Sequence, residues 1–97
     1  MTHHDDVDQT DTQILANRAR RHRRRGEDRR ALVVLREACL RDEDNATLWT
    51  LYGAWLAEAG KNEDARRALK HALWLRNTAG QPAKARVTRA LLGKVAA

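Results

Sequence analysis

Residues 46 to 79, ATLWTLYGAWLAEAGKNEDARRALKHALWLRNTA, decide the fold. In the first half Leu48, Trp49, Tyr52, Trp55, Leu56 and Ala59 recur at the three- and four-residue spacing that gathers side chains on one face of a helix. Ala65, Ala68, Leu69, Ala72 and Leu73 do the same in the second half. Between them Gly60 offers a left-handed C-terminal cap, and Asn62 followed by Glu63 and Asp64 offers an N-cap with acidic residues in the first turn. The stretch therefore reads as two short antiparallel helices.

The pattern recurs upstream at a period of about 34 residues. Leu15 falls on Trp49, Ala19 on Gly53, Gly26 on Gly60, Ala31 on Ala65, Leu35 on Leu69 and Ala38 on Ala72, with no gap in the register. This order of residues at this period resembles the tetratricopeptide repeat family. Its motif is matched in residues 46 to 79 by Trp49, Gly53, Leu56, Gly60, Ala65, Leu69 and Ala72, with Asn77 where the family often has proline. In residues 12 to 45 the second helix matches well through Ala31, Leu35 and Ala38. The first matches only in part, with His22 at the place of Leu56 and Arg18 at that of Tyr52. The resemblance implies an all-α fold, a right-handed helical-hairpin repeat of about five helices. It also implies that Ala19, Ala31, Ala38, Gly53, Ala65 and Ala72 sit where helix axes approach closely.

The domain organisation expected is an acidic, disordered arm over 1–11, repeats over 12–45 and 46–79, and a capping helix over 80–97. Asp5, Asp6, Asp8 and Asp11 lie in the arm. Asp28 is expected to cap the second helix, with Ala31, Val34, Leu35, Ala38 and Cys39 inward. The acidic loop Asp42, Glu43, Asp44, Asn45 ends that helix and caps the third. Gly80 breaks the chain, Pro82 is tolerated in a first helical turn, and Ala83, Val87, Ala90, Leu91 and Val95 form the stripe of a fifth helix. Two repeats and a cap make a thin core, so Trp55 and Trp74 are read as candidates for extending it or for contacting another chain. Homo-oligomerisation is left open.

Composition narrows the classes of function. No segment is long and apolar enough to span a membrane, and MTHHDD has no basic region followed by an apolar run. The expected address is the cytoplasm. The lone Cys39, on an apolar helix face, reads as a small buried hydrophobe. No Ser/His/Asp or Cys/His set, phosphate-binding glycine loop or metal-ligand spacing appears, so neither catalysis nor a metal or other cofactor is expected. The net charge is +6, from 15 arginines and 4 lysines against 13 acidic residues. Such a balance attracts anions.

Its distribution carries more information. Arg18, Arg20, Arg21, Arg23, Arg24 and Arg25 crowd the end of the first helix. Like charges at i,i+4 oppose folding by roughly 0.2–0.5 kcal/mol per pair, and the helix C-terminus offsets part of this. The resemblance implies a concave peptide-binding groove lined in the first repeat by Gln13, Ala16, Asn17, Arg20, Arg23 and Arg24, and in the second by Thr47, Thr50, Leu51, Ala54, Ala57 and Glu58. The carboxylate clamp of chaperone-binding family members is absent, since Ala16, Arg20, Leu51, Gln81 and Ala85 stand in its places. The expected function is protein–protein interaction, with Asn17, Arg20, Arg23, Arg24, Thr50 and Leu51 receiving an acidic segment of a protein partner. The weaker alternative is RNA binding through the arginine-rich helix, which has no interleaved aromatic residue for stacking. A further expectation is that the acidic arm folds onto the arginine run and competes with an external ligand.

Overall fold

A computed structural model of the chain describes residues 3–96, with side chains from residue 11 onward. The described residues form five α-helices and no strand: α1 (His3–Arg24), α2 (Asp28–Arg41), α3 (Ala46–Glu58), α4 (Asn62–Thr78) and α5 (Pro82–Lys94). They divide into two compact units, Met1–Glu43 and Asp44–Ala97.

In the first unit α1 packs on α2. Leu15, Ala16 and Ala19 of α1 are buried, as are Ala31, Leu35, Ala38 and Cys39 of α2. In the second unit α4 packs on both α3 and α5. The buried residues of these helices are Leu48, Gly53, Trp55 and Leu56 on α3, then Ala65, Ala68, Leu69, Ala72, Leu75 and Arg76 on α4, and Ala85 and Thr88 on α5. These are mostly the positions that the 3.6-residue period selects.

Three helices stop in the same way. Gly26, Gly60 and Gly80 have φ of +78°, +78° and +68°, a left-handed conformation that costs glycine little. After each glycine the next amide donates back across the last turn: Glu27 N to His22 O, Lys61 N to Leu56 O, and Gln81 N to Arg76 O, all at 2.9 Å. The glycine amide donates to Arg23 O, Ala57 O and Asn77 O respectively. This pair of bonds satisfies carbonyls that a helix end leaves open. Each time, a new helix begins two residues after the glycine, at Asp28, Asn62 and Pro82.

Helix starts differ from expectation by one residue at two places. Glu27 and Lys61, not Asp28 and Asn62, occupy the N-cap positions, and neither makes a side-chain capping bond. The tight reversal after glycine leaves a single non-helical residue, so the expected caps become the first helical residues. At α3 the cap is the last residue of the acidic loop: Asn45 Oδ1 accepts from the Leu48 amide at 3.1 Å.

Helix α1 is described from His3 onward. No glycine or proline precedes Gly26, so nothing interrupts a helix propagating back from the α1–α2 contact. The side chains of Asp5, Asp6 and Asp8 lie outside the described residues.

Candidate functional site

On α1 the residues Gln13, Asn17, Arg20 and Arg24 follow one another at spacings of four, three and four, which places them on a single stripe. Gln13, Asn17 and Arg24 are exposed and Arg20 is half-buried. Arg23, beside the stripe, is half-buried and already engaged with a partner group. Ala16, which the resemblance placed in the groove, is buried. The stripe thus presents two amide and two guanidinium groups, with a third guanidinium alongside.

The end of this helix is fastened by an unanticipated contact. His22 Nδ1 and Glu27 Oε1 are 2.7 Å apart across the Gly26 turn, and Arg30 stands 3.9 Å from the other oxygen. The hydrogen bond to His22, helped by the charges of His22, Arg30 and Arg25, holds the Glu27 carboxyl below its ordinary range against an opposing desolvation. His22 is therefore a turn fastener, in a place where the motif has an apolar residue. At the other end of the unit Arg41 lies 3.9 Å from Asp11 and 3.7 Å from Glu37.

In the second unit Thr50 and Leu51 are half-buried on α3. The Thr50 hydroxyl donates to Ala46 O at 2.7 Å and lies 3.4 Å from the Thr88 hydroxyl of α5. Thr88 is fully buried and receives a hydrogen bond from Arg76 Nη1 at 2.5 Å. Arg76 itself is only 7% exposed. The sequence reading missed both residues. The signal was present: Arg76 continues the apolar stripe of Leu69 and Ala72, and Thr88 falls on a stripe with Ala85, Leu92 and Val95.

The two tryptophans separate. Trp55 is buried, whereas Trp74 is 60% exposed. Trp74 closes a row of rings crossing from α3 to α4. Tyr52 meets Trp49 edge-on at 6.2 Å, Trp49 meets His71 edge-on at 4.9 Å, and His71 lies nearly parallel to Trp74 at 6.3 Å.

Cys39 is fully buried, and burial pushes its thiol up to about 12, so it stays a protonated core side chain. Among the described residues no group of three or more His, Cys, Asp or Glu side chains is placed to hold a metal ion. No helix among them is long and apolar enough to cross a membrane. Comparison with protein-family models, with curated proteins and with solved structures returned no match.

Proposed function

We propose that this protein is a non-enzymatic, cytoplasmic protein-interaction module built of right-handed, tetratricopeptide-like helical hairpins, and that the basic face of α1 binds an acidic segment of a partner protein. The observation that carries the reading is the α1 stripe, where Asn17, Arg20 and Arg24 share one face with Arg23 beside them. Guanidinium forks pair with carboxylates through charge-assisted bonds in a fixed plane, which suits peptides rich in Asp and Glu.

The repeat character is supported by the recurrence of helix ends at the same interval as the sequence motif. α1 and α3 end at Arg24 and Glu58, α2 and α4 start at Asp28 and Asn62, and the glycines between them have the same φ. Thr50 and Leu51 belong to the corresponding face of α3 and are assigned a supporting role, since the Thr50 hydroxyl already donates to its own helix.

The test is a salt titration of binding to a labelled Asp/Glu-rich peptide, a random RNA and a DNA duplex, with an Arg20→Glu, Arg23→Glu, Arg24→Glu triple variant alongside. The peptide is expected to bind the natural chain and to lose at least about tenfold in affinity to the variant, whose helicity is checked by circular dichroism. Peptide binding that the variant leaves unchanged overturns the reading. RNA binding that survives physiological salt, with a log–log salt slope of several units abolished in the variant, replaces it with a nucleic-acid function.

A further inference from the structure

Helix α1 divides its charges between its two ends. Asp5, Asp6, Asp8 and Asp11 stand in the first half, and Arg18, Arg21, Arg23 and Arg24 in the second. Their spacings mirror one another. Counted outward from a point between Ile14 and Leu15, each aspartate meets an arginine at the same remove on the other side: Asp11 with Arg18, Asp8 with Arg21, Asp6 with Arg23 and Asp5 with Arg24. Moving the centre by half a residue in either direction leaves two of the four matches. Two copies of the helix laid antiparallel therefore set every aspartate of each beside an arginine of the other. Parallel copies would set like charges together, which opposes pairing.

The described side chains of α1 supply a surface for such a pair. Ile14, Arg18, Arg21 and Arg25 follow at spacings of four, three and four, and all are exposed, Ile14 at 48%. Asp11, three residues before Ile14, continues this stripe and is exposed as well. An alternation of three and four is the spacing of a seam by which one helix faces another. The contact with α2 uses a different face, the one that buries Leu15, Ala16 and Ala19. Arg18, Arg21 and Arg24 form no ion pair and no side-chain hydrogen bond among the described residues. Asp11 has a loose contact with Arg41 at 3.9 Å, and both groups are more than half exposed. Asp5, Asp6 and Asp8 enter through their places in the sequence alone.

We propose that α1 pairs antiparallel with α1 of a second copy of this chain, about a two-fold axis beside Ile14. The aspartates that begin each helix lie against the arginines that end the other, and Ile14 meets its own counterpart across the axis. The contact is isologous, so each charge match is made twice. Charge complementarity selects the occupant, because the order and spacing of the arginines are those of the chain's own aspartates in reverse. Exposed ion pairs are individually weak. The self-affinity expected is therefore about 0.1 mM, and the dilute chain is monomeric. The pairing needs only a second copy and does not rest on the reading of α1 as a receptor for an acidic partner.

The test is sedimentation equilibrium of the full chain at low and high salt, with two charge variants alongside. One is Asp5→Lys, Asp8→Lys, Asp11→Lys and the other Arg18→Glu, Arg21→Glu, Arg24→Glu, each checked for helicity by circular dichroism. The natural chain is expected to dimerise at low salt and to lose at least about tenfold in self-affinity at about 1 M sodium chloride. Each variant alone is expected to be monomeric, because like charges then meet across the pair. An equimolar mixture of the two is expected to form a heterodimer, since every match is restored with its sign exchanged. Orientation is read by disulfide capture, in which the fully buried Cys39 takes no part. Ile14→Cys is expected to link to its own counterpart under mild oxidation. Arg25→Cys is not, because in an antiparallel pair its two copies lie about 30 Å apart. A natural chain that stays monomeric at low salt and about 1 mM protein overturns the proposal without recourse to any variant. A dimer that both helical variants retain, a mixture that stays monomeric, or ready linking through Arg25→Cys overturns it as well.

Discussion

At the scale of single residues, the His22–Glu27 contact shows how an off-motif side chain is put to use. A histidine where the repeat pattern has leucine is a poor core residue, yet it lies half-buried with one nitrogen 2.7 Å from Glu27 across the turn. The Glu27 carboxyl is lowered from its ordinary value of 4.5, so the folded state binds this proton less readily than the unfolded chain. The sign follows by linkage. The stabilisation is fully present above the unfolded value and is lost as pH falls through the lowered folded one. Glu27→Gln is therefore expected to melt below the natural chain near pH 6, with the deficit shrinking as pH is taken below 4.5. Thermal melts followed by circular dichroism across that range check this, and a deficit that stays constant into strong acid would exclude the carboxylate as its source. No spacing rule makes this contact legible in the sequence, because it depends on the left-handed turn at Gly26 bringing residues five apart into register.

At the scale of helices, close approach between α3 and α4 is set by one missing side chain. A Cβ built on Gly53 would stand 2.6 Å from Leu69 Cγ and 2.8 Å from Leu69 Cδ2, both inside contact distance. Gly53→Ala is expected to destabilise the protein by about 1–3 kcal/mol through overpacking, lowering its melting temperature by roughly 4–8 °C per kcal/mol. Gly93, also helical, has nothing within 4 Å of its Cβ position. Gly93→Ala is expected to be neutral or stabilising, by up to about 1 kcal/mol, from helix propensity alone. Equal effects at the two positions would sink the assignment of Gly53 to a helix contact. Helix α5 shows the limit of periodicity. The expected stripe of Ala83, Val87, Ala90, Leu91 and Val95 is mostly exposed, with Val87 at 58%. The helix instead buries Ala85 and Thr88, and of the expected stripe Val95, just past the helix end, is buried. Small and aliphatic residues surround this helix, so two stripes satisfy the same spacing, and the hydrogen bonds from Arg76 favour the one that contains Thr88.

At the scale of the whole molecule, a net charge of +6 concentrated in few places makes stability depend on ionic strength. The pairs Arg20 with Arg24 and Arg21 with Arg25 each oppose α1 by roughly 0.2–0.5 kcal/mol at low salt. Screening contracts to about 3 Å at 1 M salt, so added sodium chloride is expected to raise the melting temperature by about 2–5 °C. An Arg21→Gln, Arg25→Gln variant should show a smaller rise. A fall with salt would mean that attractive pairs such as Glu63 with Arg67 dominate instead. The sequence by itself determined the all-helical class, the glycine stops at 26, 60 and 80, and the inward faces of α2 and α4, because these are local properties of spacing and backbone freedom. It also marked the basic stripe of α1. Only the tertiary structure decided that Trp55 is buried and Trp74 exposed, which stripe α5 turns inward, and that Arg76 lies buried against Thr88. The physical reason is that burial and hydrogen-bond partnership depend on which surface an element meets. A helix with more than one apolar face carries no local signal of that choice.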